Sequence, residues 1–182
     1  FDRAAQVAAQ QAVRRAGPKS GTQGLRIGLA SVRPGTGEVV AMYGGRDFIA
    51  DQINNATRPF AQAGSTFKPF ALAAATEQDV PLTSVWNGDS PATVDGYTFS
   101  NYGDHSYGQV TLLQATENSI NSAYVEVESE VGVDRVVDAA IRAGVPDDTP
   151  GMDPDNRNLT FVLGTASPSG LDMASAYATF AA

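Results

Sequence analysis

A single β-hairpin signal limits what this chain can fold into more than any other feature. Leu25 to Val32 and Glu38 to Tyr43 are two runs of strand-forming character, and Arg33-Pro34-Gly35-Thr36-Gly37 between them is turn chemistry. A two-stranded hairpin is marginal alone, so it must join a wider sheet or pack on helices. No later segment reads as a convincing third or fourth strand, apart from short pieces near Thr93–Phe99 and Thr160–Leu163. The sheet is therefore expected to lack strands that this sequence does not supply.

The rest reads as helix and loop. Ala4 to Ala16 has good helix propensity, with Val7, Ala8, Ala12 and Val13 as a narrow apolar stripe. Thr111 to Glu117 is a short helix with Thr111 as its N-cap. Glu117 to Ser122 interrupts the helical pattern, which resumes through Tyr124, Val125 and Val127 to Gly132. Val133 to Ala143 is closed by Gly144 and Pro146, and Pro168 to Ala182 is a last Ala-rich helix. Pro81 to Ser106 is a long irregular segment, in which Trp86 is either a pocket wall or a core anchor. The fold class expected is α/β (α+β), mostly helical with one hairpin.

Composition removes several functions. A net charge of -8 and a sequence pI near 4.5 argue against binding nucleic acid or anionic membrane surfaces. With no Cys there is no disulfide framework and no thiolate metal site, and no His–carboxylate cluster has metal-ligand spacing. The one His, His105, sits in a Gly/Asn/Ser loop and reads as solvated rather than as part of a Ser-His-Asp triad. No apolar run is long enough to span a membrane, so any anchor is expected to lie outside this sequence.

The chemistry concentrates at Ala63-Gly64-Ser65-Thr66-Phe67-Lys68-Pro69-Phe70, followed by the helix-forming run Ala71 to Thr76. Pro69 falls in the first turn of that helix, where a missing N–H does little harm. Ser65 and Lys68, three apart, share a face. An amine beside Phe67, Phe70 and an alanine run is partly desolvated, which lowers its pKa toward that of a working base. A neutral amine can then take the Ser65 proton and make it a nucleophile. The chain has 13 Ser and two Lys, so chance placement gives only roughly 0.14 Ser-x-x-Lys matches. Ser119-Ile120-Asn121 is weaker by itself, with about 0.57 chance matches from 13 Ser and eight Asn. It still sets a hydroxyl and an amide together between two helices.

The two motifs together, about fifty residues apart, resemble the layout of the serine penicillin-recognising enzymes. Gly64 to Phe70 looks like the nucleophile segment of class A penicillin-binding proteins. Ser106 to Leu112 with Ser119-Ile120-Asn121 resembles their second-motif region. Leu163 to Ser167 through Ala174 to Tyr177 resembles the approach to the third motif, and Asp2 to Val13 the helix that opens the domain. The third motif itself, Lys-Thr-Gly, is absent, since neither Lys19 nor Lys68 precedes Thr-Gly. Residues 1–182 are therefore expected to be the N-terminal portion and the all-helical portion of a single transpeptidase domain. Such a piece is not expected to fold stably without its remainder.

The resemblance implies the β-lactamase/transpeptidase-like fold and a DD-transpeptidase located at the outer face of the bacterial cytoplasmic membrane. Ser65 would attack the D-Ala-D-Ala bond of a peptidoglycan stem peptide, Lys68 would act as base, Ser119 would relay the proton, and Asn121 would orient the acyl chain. The Ser65 N–H would supply half of an oxyanion hole. The partners implied are stem peptides, β-lactam antibiotics and the C-terminal remainder, with no metal or organic cofactor. Two alternatives share the motifs: a β-lactam sensor, and a hydrolase of β-lactams or DD-peptides. The Glu-x-x-Leu-Asn segment of class A β-lactamases is not matched by Asp155 to Thr160.

Overall fold

The hairpin forms, but its first strand is shorter than the sequence suggests. In the computed structural model, which describes residues 1–47 and 49–182, β1 (Leu29–Val32) runs antiparallel to β2 (Val39–Tyr43), with Leu29 opposite Tyr43 and a bulge after Ser31. Residues 25–28 stay outside the ladder. A side chain at Gly28 would meet the Asn55 carbonyl at 2.5 Å, so the 55–56 backbone lies close against this stretch.

The chain divides into two compact units. The first comprises Phe1–Ala61, Ala143–Pro146 and Pro168–Ala182. Its helix α1 (Arg3–Ala16) begins where the Asp2 carboxylate accepts the Ala5 N–H at 2.8 Å, satisfying one of the donors a helix start leaves open. Gln6 projects from α1 onto β2. Its amide donates to the Met42 carbonyl at 2.8 Å and accepts the Met42 N–H at 2.9 Å, and the Asp2 N–H donates to the Val40 carbonyl. These bonds close the outer edge of β2 as a strand would. On β1, no strand pairs with the other edge among the described residues. Helix α6 (Gly170–Phe180) completes the unit. It opens with a capping box between Ser169 and Asp172.

The second unit comprises Gln62–Arg142 and Asp147–Ser167. Its core lies between helix α2 (Lys68–Glu77), which buries Phe70, Ala71, Ala74 and Ala75, and helix α4 (Asn121–Val131), which buries Ala123, Tyr124, Val125 and Val127. Phe67 packs edge-on to Phe70 at 4.8 Å and to Phe161 at 5.1 Å between ring centres. Each such fully buried ring contributes about 1.5–3 kcal/mol. Helix α3 (Leu112–Glu117) has Thr111 as its N-cap, as its sequence predicts, and Gln114 completes a capping box with it. Helix α5 (Val133–Ala143) follows α4.

Two further two-stranded sheets form, one within the short strand-like stretch near Thr93–Phe99 and one that joins the segment read as irregular to residues beyond it. β3 (Val85–Asn87) pairs with β6 (Gln109–Thr111), and β4 (Ala92–Val94) with β5 (Tyr97–Phe99). Trp86, 6% exposed, lies opposite Val110 and donates its indole N–H to Ser84 Oγ at 2.7 Å, so it is a core anchor. Thr160–Leu163, read as a short strand, is a 3₁₀ turn over Phe161–Leu163 instead. The Asn158 side chain takes the Thr160 N–H at 2.9 Å and bends the chain there.

Glu128 on α4 is wholly buried. One carboxyl oxygen accepts the Val162 N–H at 3.1 Å and the other has no partner. Burial raises its pKa from 4.5 to about 8, against the smaller opposing effect of the Val162 bond. The folded state therefore holds a proton that the unfolded chain releases. Stability from this group is complete below pH 4.5 and is lost as pH rises to about 8. Glu128→Gln is expected to flatten this fall, and thermal unfolding followed between pH 4 and 8.5 measures it. A fall equally steep in the variant would assign it to another group.

Candidate active site

The residues singled out from sequence converge within the second unit. Gly64–Phe67 forms a 3₁₀ turn that feeds directly into α2 at Lys68, with Pro69 in the first helical turn. The Lys68 N–H donates to the Ser65 carbonyl, the i to i+3 bond of that turn. Ser65 thus lies in the 3₁₀ turn and Lys68 at the first position of α2, three residues apart as the sequence has them. Ser65 is exposed, whereas Lys68 is 3% exposed.

A buried ammonium must find acceptors. Lys68 Nζ donates to the Ser119 carbonyl at 2.6 Å, to Ser119 Oγ at 3.0 Å and to Asn121 Oδ1 at 2.7 Å. Three acceptors match the three N–H donors of a charged lysine. The Tyr124 ring lies 5.5 Å from the same nitrogen. Burial nevertheless lowers the Lys68 pKa from 10.5 to about 8.

Ser119 presents both its carbonyl and its hydroxyl to one nitrogen, and its backbone is left-handed, with φ +52°. For a residue with a Cβ that conformation costs about 1–3 kcal/mol and persists only where the surroundings impose it. Asn121 is the first residue of α4, and its Nδ2 donates to the Ser100 carbonyl at 3.0 Å. That bond uses one of the two hydrogens of the amide.

The turn that carries Ser65 is supported from behind. The Gly64 N–H donates to the Gly164 carbonyl at 3.0 Å and the Ala63 N–H to the Ala166 carbonyl at 2.8 Å. Gly164 has φ +76°, and a Cβ there would sit 2.0 Å from the Gly64 carbonyl oxygen. Backbone cannot yield as a side-chain tip can. Gly164→Ala is therefore expected to destabilise the unit by about 2 kcal/mol or more and to displace Ser65. Thermal unfolding and penicillin labelling read the two effects. Unchanged values of both would mean that this contact is not required.

Sequence reasoning missed three participants: the Ser100 carbonyl, the Asn101 side chain that grips the start of α4, and the Tyr124 ring. None carries a local signal, because each acts across the fold. His105 is exposed, and no bond joins its ring to a serine or a carboxylate among the described residues. A concavity of the first unit, about 650 Å³ among Gln6, Arg14, Ile27 and Met42, contains none of this chemistry.

The model of the penicillin binding protein transpeptidase domain matches residues 28–182. The chain belongs to the penicillin-binding transpeptidase family. Penicillin-binding protein 1A of Mycobacterium tuberculosis is 36% identical over 174 residues, covering 87% of this chain and 20% of that protein. The Aquifex aeolicus protein of the same name is 30% identical over 162 residues, covering 86% and 21%. The chain thus spans about a fifth of the length of the curated relatives it matches. Among solved structures, the penicillin-binding protein PonA1 from Mycobacterium tuberculosis aligns over the whole chain and 48% of its own, with TM-score 0.86 and 34% identity. PonA1 in complex with penicillin V aligns over the whole chain and 50% of its own, at TM-score 0.87. Both the mixed, helix-rich class and the penicillin-recognising fold expected from sequence hold for this member of the family.

Proposed function

We propose that this chain is the N-terminal portion of a peptidoglycan DD-transpeptidase domain that works through a Ser65 acyl-enzyme and is trapped by β-lactams. The observation that carries the reading is the buried Lys68 nitrogen, one 3₁₀ turn from an exposed serine and bonded to both Ser119 and Asn121. Neutral Lys68 removes the Ser65 proton as Oγ attacks the carbonyl of the D-Ala-D-Ala bond. Ser119 Oγ, already on Lys68, passes a proton to the departing amine. The free Asn121 hydrogen holds an acyl-chain carbonyl. Ser65 lies at the start of its turn, where N–H groups have no acceptor within the turn, so its own N–H is free to serve the oxyanion. An amine from a second stem peptide then takes the acyl group.

In this proposal the remainder of the domain adds to the first unit. The unpaired edge of β1, beside a β2 edge closed by Gln6, supports strand addition there. In this reading the enzyme works outside the cytoplasmic membrane, held by an anchor elsewhere in the protein. No helix among the described residues is long and apolar enough to cross a membrane.

The test is mass spectrometry of the full-length protein after treatment with a fluorescent penicillin, followed by assay on a stem peptide. One adduct on Ser65 lasting minutes or longer, together with cross-linked product, is expected. A rapidly hydrolysed adduct would make the protein a hydrolase. A stable adduct without peptide turnover would make it a sensor.

A further inference from the structure

Helix α4 begins without a cap of its own, although its first turn carries part of the site. Ile120 occupies the N-cap position and makes no side-chain bond to the helix. The acceptor that an N-cap residue would supply to the second or third helical N–H comes from elsewhere. Asn101 Oδ1, 21 residues earlier in the chain, accepts the Ser122 N–H at 3.0 Å and the Ser122 hydroxyl at 3.2 Å.

The rest of Asn101 is equally committed. Its Nδ2 donates to the carbonyls of Gly88 and His105, both at 2.9 Å, and its backbone N–H donates to Ser90 Oγ at 3.0 Å. The side chain is 5% exposed, and both its donors and its acceptor are filled. A fully satisfied buried polar network fixes the pieces that it joins. The neighbouring Ser100 carbonyl takes the Asn121 Nδ2 at the same time. The 100–101 pair therefore grips the first two residues of α4. Asn121 is one of them, and the left-handed Ser119 lies just before them.

We propose that Asn101 is a positioning residue for acyl transfer: it caps α4 from outside the helix and so fixes Ser119 and Asn121 against the Lys68 nitrogen. The inference rests on the acyl-transfer reading given above. It adds to that reading a residue in neither motif, which reaches the chemistry through Ser122 and Ser100.

The test compares wild type, Asn101→Ala and Asn101→Asp in the full-length protein by stopped-flow acylation with a fluorescent penicillin. The acylation step is separated from initial binding and normalised to sites labelled at completion. Positioning predicts that Asn101→Ala slows the acylation step about tenfold or more, with initial binding changed about threefold at most. Asn101→Asp, which keeps the acceptor for Ser122 but turns an oxygen toward two carbonyls, is expected to fall between it and wild type. A merely structural role would lower the number of labelled sites and leave the rate per site alone. A rate per site within about twofold of wild type in Asn101→Ala would overturn the proposal. If neither variant accumulates folded, amide exchange at Ser122 in the wild type decides. Protection comparable to the middle of α4 supports the cap, and exchange at the rate of an open amide refutes it. Absence of any Ser65 adduct in wild type would instead remove the acyl-transfer reading and the proposal with it, whereas an unprotected Ser122 beside a normal adduct would remove the proposal alone.

Discussion

Ser65→Ala is expected to abolish covalent labelling by penicillin and to lower cross-linking in the full-length protein by at least ~10³-fold, with little change in stability. The two halves of this expectation have separate causes. In the proposed reaction the hydroxyl is the atom that forms the acyl bond, and its neighbours are engaged elsewhere: Ser119 Oγ is already bonded to Lys68, and Thr66 Oγ1 donates to the Ala63 carbonyl at 2.6 Å. Ser65 is exposed and packs no core, so truncation should shift unfolding by no more than about 0.5 kcal/mol. Intact-mass analysis and a thermal melt measure the pair. An adduct of unchanged stoichiometry in the alanine variant would place the nucleophile elsewhere.

Lys68→Met carries the second largest effect. Methionine is close to the lysine stem in length and apolar character but offers neither a base nor a donor. Losing the base should slow acylation by about 10²–10⁴-fold. It also leaves the Ser119 carbonyl, Ser119 Oγ and Asn121 Oδ1 without the nitrogen they share. Ser119 is exposed and Asn121 half-buried, so water can take over much of what those acceptors lose, and relief from holding a buried charge acts in the same direction. The wild-type pH profile tests the same group. With the Lys68 pKa brought down to about 8, acylation should rise with pH through a midpoint near 8 and then level off. A rise centred on 10.5, the ordinary lysine value, would count against neutral Lys68 as the base. Stability follows the opposite logic to Glu128. The unfolded chain holds the Lys68 proton up to about 10.5 and the folded protein only to about 8, so stability is lower below pH 8 and recovers between 8 and 10.5. Lys68→Met should remove that recovery.

The linkage between these two buried groups frames a narrow range of conditions. Glu128 costs stability as pH rises to about 8, and the working form of Lys68 becomes dominant only above about 8. Activity and stability are thus expected to move in opposite directions across neutral pH, through two residues on facing helices of one unit.

What the sequence determined by itself was whatever depends on a few neighbouring residues. The hairpin turn, the Thr111 N-cap, Pro69 in a first turn and the three-residue spacing of Ser65 and Lys68 all follow from short-range geometry. The chemistry of the pair was legible because alanines and phenylalanines around a lysine imply a desolvated amine. Only the tertiary structure decided what meets the far end of that amine. Ser119 and Asn121 lie more than fifty positions from Lys68, and Asn101 reaches α4 from a loop whose composition reads as irregular. The pairing of Trp86 with Val110 and the 3₁₀ turn at Phe161 were hidden for the same reason. Short strands and tight turns are selected by the partners they pack on, and a local pattern does not name partners that chain folding brings from a distance.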